Sequence, residues 1–167
     1  MKIDKKGQIT VELLLLISFA LITAILLANA LIDSNELNMA MASARDGAFE
    51  GISSNGLAIY PKESYDNYSK DLKKQSLLRQ KRIKIIKIKQ TVNGKDSFNR
   101  TRIQLKIYAS SPDVKTKEQK EAVGDRINYN VRKSITNSFK SENITNKLFN
   151  PAISNKYSFT TGNVVWV

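Results

Sequence analysis

The segment that decides the fold is Lys5–Glu12, KKGQITVE, together with the run that follows it, Leu13–Ile32, LLLLISFALITAILLANALI. That run contains twenty residues and no charge. As an α-helix it would rise about 30 Å, roughly the thickness of a bilayer core. Lysines precede the run, and Asp33 and Glu36 follow it. Because positive charge is retained on the cytoplasmic side, we expect a cytoplasmic N-terminus and an external remainder.

Glu12 is the unusual residue of this segment, because it lies at the edge of the apolar run. A charge placed there costs about a few kcal/mol unless it finds a partner. A secretory signal peptide would have a shorter apolar region that ends in a small-residue cleavage site. Two interpretations remain open. One is a plain membrane anchor whose Glu12 reaches the headgroup region, and the other is a helix that assembles with similar helices.

The residues from Gly7 to Leu16 resemble the class III signal peptide of archaeal type IV pilin-like proteins. In that pattern a glutamine follows a short basic leader, a glutamate comes four residues later and a leucine four beyond it. Here these residues are Gln8, Glu12 and Leu16, and Thr10 stands where the pattern usually has serine. The resemblance implies cleavage between Gly7 and Gln8 by a membrane prepilin peptidase. It also implies that the apolar helix assembles with other pilin subunits into a filament core.

This pattern also has a physical rationale. Cleavage after Gly7 would free an α-amino group at Gln8 and remove a leader that carries three lysines and one aspartate. In a bundle, Glu12 of one subunit can reach the free amine of the subunit beside it. The pair would satisfy both charges in an apolar setting, where either charge alone is unfavourable.

Similarity to class III signal-peptide proteins of methanogenic archaea extends along most of the chain. Five stretches carry it: Glu36–Ala42, Leu57–Pro61, Thr101–Leu105, Gly124–Ser134 and Phe159–Val167. The resemblance implies a type IV pilin-like role for the whole chain. It implies little about what the outer domain binds.

Composition excludes several kinds of chemistry. The chain has no cysteine and no histidine. It therefore has no disulfide, no thiolate or imidazole metal ligand and no Ser-His-Asp triad. The sequence also lacks a glycine-rich phosphate loop and the spacing of a calcium loop. We predict that the protein is not an enzyme and that it has no metal site, cofactor or small-molecule substrate.

Charge is distributed unevenly along the chain. Residues 8–61 carry five acids and one base, whereas residues 62–167 carry 23 bases and nine acids. A basic outer domain suggests attraction to anionic surfaces such as cell-wall polymer, phospholipid headgroups or nucleic acid. Solubility alone is the alternative explanation of this charge.

We expect three regions. Residues 1–7 form the basic leader, residues 8–55 an N-terminal helix, and residues 56–167 an extracellular α+β head. Within the helix, residues 13–32 are hydrophobic and residues 33–50 amphipathic. Small residues such as Ala40 and Ala44 in its second half would permit close helix packing.

The clearest strand signal lies between Lys81 and Ala109, where isoleucine and lysine alternate. The doubled Ile85-Ile86 predicts a β-bulge, and Asn93-Gly94 predicts a tight turn between two antiparallel strands. Each strand would present one apolar face and one basic face. The basic face could bind a polyanion, or it could guard the sheet against aggregation through its edges.

A second helix is predicted from a cap at Thr116, with Gln119 completing a capping box, to about Phe139. An apolar stripe from Val123 to Phe139 would pack on the sheet, whereas Arg126, Arg132 and Lys133 would point elsewhere. Gly124 inside this helix indicates a close contact. The segments Lys156–Thr160 and Val164–Val167 are expected to form one interrupted strand of the sheet. The resulting fold class is α+β, with a small antiparallel sheet, one packed helix and a type IV pilin-like organisation.

Three N-glycosylation sequons begin at Asn67, Asn99 and Asn143. All three lie in predicted connecting segments of the outer domain, so modification of at least one is expected. A surface that is merely rich in asparagine, serine and threonine would show the same triplets.

These observations predict a structural subunit, major or minor, of an archaeal type IV pilus-like filament with roles in surface attachment. It would be a single-pass protein of the cell membrane before assembly and part of an extracellular filament afterwards. The alternative is a membrane-anchored cell-surface protein that binds a polyanion, DNA or cell-wall polymer, and is not assembled into a filament.

Overall fold

The computed structural model describes residues 5–53 and 82–167. The chain divides into two compact units, Met1–Leu37 and Asn38–Val167, and each is described by itself. The predicted head boundary near residue 55 and the Asn67 sequon lie outside the described residues.

The described elements confirm the α+β class, with a long apolar N-terminal helix followed by a small sheet and one further helix. The N-terminal helix begins three residues before its predicted start at Gln8, and its described part ends at Ser53. In chain order the elements are α1 Lys5–Ser53, β1 Lys84–Lys95, β2 Thr101–Ser110, α2 Lys117–Ser138, a 3₁₀ turn Glu142–Ile144, β3 Ala152–Ile153, β4 Tyr157–Thr161 and β5 Val165–Trp166.

The sheet is mixed, so the prediction of an antiparallel sheet is wrong. Its order is β1-β2-β4-β3, with β5 also paired to β2. β1 and β3 are antiparallel to their neighbours, whereas β4 and β5 are parallel to β2. The reason is the connection between β2 and β4, because a helical crossover such as α2 joins parallel strands. The two C-terminal strands both add to β2, which confirms the prediction of one interrupted strand.

The hairpin of β1 and β2 bears out one prediction and overturns another. The register shifts between Ile85 and Lys87, so the predicted bulge at the isoleucine pair is present. The Asn93-Gly94 dipeptide does not form the turn. It lies inside β1 at a second register shift, where Gly94 adopts a φ of 74°.

The chain reverses instead around Asp96, whose carboxylate organises the turn. Asp96 Oδ1 accepts hydrogen bonds from the backbone N–H groups of Phe98 and Arg100, each 2.9 Å long. Asp96 Oδ2 pairs with the Arg100 guanidinium at 2.8 Å. Desolvation acts to raise the pKa of Asp96, but the hydrogen bonds from Arg100 and Phe98 outweigh it and lower the pKa below its ordinary value. A carboxylate that accepts several backbone donors stabilises this turn more than an Asn-Gly pair can.

The core lies between the sheet and α2. Alternate residues of β2 are fully buried, as the strand period requires: Ile103, Leu105, Ile107 and Ala109. The α2 stripe predicted from the sequence is buried too: Val123, Ile127, Val131 and Ile135. Thr116 caps α2 as predicted, because its hydroxyl accepts a hydrogen bond from the Gln119 N–H at 3.2 Å. A Cβ built on Gly124 would lie 3.4 Å from Val164, an ordinary contact, so the close approach predicted at this glycine is not what the structure shows.

The C-terminal part of α1 packs directly on the backbone of α2. A Cβ built on Gly47 would lie 2.8 Å from the Cα atom of Val131 and closer still to the carbonyl oxygen of Asn130. A Cβ on Gly51 would lie 2.8 Å from the Cα atom of Ile127. Alanines continue this side of α1 toward its middle and are buried: Ala40, Ala44 and Ala48. Only small side chains allow two helices to approach this closely.

Polar groups also join these two helices. Arg126, which the sequence analysis placed away from the core, is 3% exposed, and its Nε donates a 2.7 Å hydrogen bond to the Gly51 carbonyl. That prediction is wrong because the last carbonyls of a helix have no partner within the helix. A guanidinium satisfies one of them and also interacts favourably with the negative end of the helix dipole. The hydroxyls of Ser43 and Ser138 form a further hydrogen bond of 2.6 Å.

The replacement Gly47→Ala is expected to destabilise the Asn38–Val167 unit by about 1–3 kcal/mol, because its Cβ would overlap backbone atoms that cannot move aside. Gly124→Ala is the matched control. Its Cβ would lie 3.4 Å from Val164, an ordinary contact, so the gain in helix propensity of up to about 1 kcal/mol should be retained. Chemical denaturation of both variants in an uncharged detergent measures the difference. Equal stability of the two variants would contradict the close approach of the helices.

The Asp96 turn predicts a pH dependence of stability. Because the folded-state pKa is lowered, Asp96 contributes stability above its unfolded pKa of about 3.9, and that contribution disappears as the pH falls through the folded pKa. Asp96→Asn should therefore melt at a lower temperature than the wild type at pH 7. The two melting temperatures should converge in the acid range below about pH 4. A difference that stays constant from pH 7 to pH 2 would show that the charge of Asp96 is not what stabilises the turn.

Candidate functional site

The first candidate site is the apolar part of α1. The large side chains between Val11 and Ile32 are exposed around the whole helix, with fractions from 46% at Ile17 to 71% at Phe19. By length and composition, this one helix could cross a membrane, and none of its most apolar window is buried within the described chain. Two hydroxyls within the run donate to the helix backbone, from Ser18 to the Leu14 carbonyl at 2.7 Å and from Thr23 to the Ala20 carbonyl at 2.9 Å. Those hydroxyls therefore need no water.

The residues of the predicted processing and assembly site all lie on α1. Gly7 and Gln8 fall within its first turns. Glu12 and Leu16 are exposed. Gln8, Glu12 and Leu16 are spaced by four residues, so a helix brings them to one side. The predictions of cleavage after Gly7 and of a role for Glu12 in assembly stay predictions.

Two of the three sequons lie among the described residues. Asn99 is exposed in the β1–β2 turn, where its φ is 63° and its side-chain oxygen accepts a hydrogen bond from Lys95 Nζ at 2.9 Å. Asn143 is exposed in the 3₁₀ turn after α2. Its sequon partner Thr145 is half-buried and donates its hydroxyl to the Pro151 carbonyl at 2.6 Å. Both asparagines are therefore at the surface, as a glycan requires.

The second candidate site is the outer side of β1 and β2, which we call the basic face. The strand register places every second residue of the pair on this side. Its cations are all exposed: Lys84, Lys87, Lys89, Arg102 and Lys106. Its uncharged members are Thr91, Gln104, Tyr108 and Ser110. The alternation of isoleucine and lysine in the sequence predicts this separation of a basic side from an apolar side, and the strand register confirms it.

Tyr108 is the residue of the basic face that the sequence analysis missed. The ammonium of Lys87 lies 4.8 Å from the centre of its ring and that of Lys89 lies 5.8 Å from it. Both distances are within the range of a cation–π interaction. The strand alternation of β2 places Tyr108 on the same side of the sheet as Arg102 and Lys106, and this pattern could have identified it from the sequence. Its two lysines come from the neighbouring strand, and the register shift at Ile85 and Lys87 sets which lysines face it.

Two of the acids that follow β2 pair with nearby cations. Asp113 pairs with Arg82 at 3.3 Å, which raises the pKa of the arginine through a hydrogen bond and charge attraction. Glu121 lies 3.9 Å from Lys117, one turn away on α2. Among residues 5–53 and 82–167, no group of three or more carboxylates is placed to hold a metal ion.

Comparison with known proteins gives no family assignment. No protein-family model matches the chain, and neither a curated protein nor a solved structure is significantly similar to it. Functional conclusions therefore depend on the residues themselves.

For the sequons, we expect protein isolated from its natural host to carry a glycan at Asn143. Asn143→Gln should then lower the intact mass by the mass of one glycan, less the one CH2 group that the substitution adds. Asn155→Gln is the control, because Asn155 is exposed but is followed by Lys156 and Tyr157 and so is no sequon. An intact mass equal to that of the unmodified polypeptide would contradict the prediction for all three sequons.

Proposed function

We propose that this chain is a subunit, major or minor, of an archaeal type IV pilus-like cell-surface filament. It would be made as a prepilin and cleaved between Gly7 and Gln8. The observation that carries the proposal is the combination of an exposed apolar helix surface with one carboxylate, Glu12, four residues after Gln8.

The apolar part of α1 requires an apolar surrounding. Burying one large aliphatic or aromatic side chain is worth about 1.5–3 kcal/mol, and this stretch exposes many of them. Lipid can supply that surrounding before assembly, and the helices of neighbouring subunits can supply it afterwards. A protein that moves from the membrane into a filament uses the same surface in both states.

Glu12 favours assembly over a plain anchor. In a bundle of processed helices, the α-amino group of Gln8 in one subunit would be available to Glu12 of the next. A buried pair of opposite charges is favourable only when both members are present, so assembly would depend on processing. The partners implied are a prepilin peptidase, other pilin subunits and the membrane. The head would lie outside the cell, with a role in surface attachment.

The N-terminus of the native protein tests processing directly. Mass spectrometry and N-terminal sequencing should be applied to sheared extracellular filaments and to total membranes. A chain that begins at Gln8 in the filament fraction is the expected result. A chain that begins at Met1 and is confined to membranes would refute the proposal and leave an anchored cell-surface protein that does not assemble.

Glu12→Gln is expected to abolish incorporation into filaments while leaving the processed chain in the membrane, because the amide keeps the shape of the side chain and removes its charge. Asp46→Asn is the matched control, since it removes one exposed acid from the same helix outside the apolar run. Immunoblots of filament and membrane fractions measure both. Normal assembly of the Glu12→Gln protein would contradict a role for this charge.

A further inference from the structure

The basic face has a charge pattern that protection of a sheet edge does not explain. Lysines on an edge strand hinder pairing with another sheet, and β1 is such an edge strand. Arg102 and Lys106, however, lie on β2, which has β1 on one side and β4 and β5 on the other. These two cations have no free edge to protect, so the basic face extends beyond what edge protection needs.

The cations of the basic face are also arranged at some expense of stability. Lys89 and Lys106 are direct cross-strand partners, and like charges placed opposite each other are destabilising. No carboxylate belongs to the described part of this face. The acid of the adjoining turn, Asp96, is engaged by Arg100. Two cations outside this face do have an acidic partner, Lys117 with Glu121 and Arg82 with Asp113. An anionic polymer binds best to an exposed surface on which positive charges are concentrated.

The uncharged residues of the basic face indicate the kind of polymer. Thr91, Gln104 and Ser110 offer hydrogen-bonding groups, and one large apolar residue, Ile86 of the bulge, is exposed beside them. A surface that binds bilayers presents several apolar side chains for insertion. Tyr108 adds one aromatic ring, with Lys87 and Lys89 at its face. Cations that follow a phosphate backbone, combined with an aromatic ring on which a base can stack, are typical of surfaces that bind single-stranded nucleic acid.

We propose that the basic face binds single-stranded nucleic acid, with Lys87, Lys89, Arg102 and Lys106 contacting phosphates and Tyr108 contacting a base. Same-side residues of a strand recur about every 6.7 Å, so the two strands offer a regular double row of contacts to an extended chain. This binding is independent of the filament role, because it uses residues of the Asn38–Val167 unit alone.

The test uses the full chain held in nanodiscs of phosphatidylcholine and a fluorescein-labelled oligodeoxythymidylate of about 16 nucleotides. The triple variant Lys87→Gln, Lys89→Gln, Lys106→Gln should weaken binding by about tenfold or more in fluorescence anisotropy. It should also reduce the slope of log affinity against log salt by about 2, since each lost phosphate contact contributes about 0.7. All three lysines are exposed, and an unchanged melting temperature would show that the fold is intact.

The matched control removes the same net charge from other places. Lys115, Lys117 and Lys140 are exposed and lie outside the basic face, so replacing all three by glutamine should change the affinity less than about twofold. Equal losses in the two triple variants would overturn the site, because net charge alone would then explain the binding. Absence of binding by the wild type at low salt would overturn it as well.

Competitors distinguish nucleic acid from other anions. Phosphatidylglycerol vesicles or polyglutamate that displace the oligonucleotide at equal charge concentration would overturn the assignment, in favour of a bilayer or an acidic protein. Tyr108→Leu should weaken oligonucleotide binding about fivefold or more and affect inorganic polyphosphate less, because only the oligonucleotide has bases to stack. Equal losses for both ligands would overturn the role of the ring and the assignment to nucleic acid.

Discussion

The fold of the Asn38–Val167 unit depends on the approach of two helix backbones. Gly47 and Gly51 of α1 lie against the backbone of α2 with no room for a side chain, and Arg126 joins α2 to the last turn of α1. Small residues alone would leave this contact poor in apolar area, so the buried guanidinium and the serine pair supply directional contacts. Because α2 also covers the inner side of the sheet, the position of α2 fixes both the C-terminal part of α1 and the sheet.

β2 has the corresponding position in the sheet. It pairs with β1, β4 and β5, and its alternate residues divide into a fully buried set and an outward set that includes the exposed cations Arg102 and Lys106. The buried set is required by packing against α2. Nothing in packing requires the exposed set to be basic on a strand with no free edge. That difference is why the outer side of β2, more than the lysines of β1, carries the inference of a ligand.

The N-terminal helix presents a different kind of constraint. Its large apolar side chains from Val11 to Ile32 are exposed in the described chain, and such a surface is favourable only in apolar surroundings. Membrane insertion and filament assembly both meet this requirement. The distinction between them rests on Gln8 and Glu12, where a charge and a potential new amino terminus are four residues apart.

The sequence by itself determined the elements whose signals are local. These are the long apolar helix, the bulge at the isoleucine pair, the Thr116 cap, the α2 stripe and the joining of both C-terminal strands to the sheet. Tertiary structure decided the rest. The direction of β4 follows from a crossover that no local pattern records, and Arg126 is buried because a distant helix ends beside it. The turn formed at Asp96 because one carboxylate collects three hydrogen bonds, which outweighs the intrinsic preference of Asn93-Gly94. Tyr108 acquired its two lysines through strand register, which is set by pairing between segments and not by either segment alone.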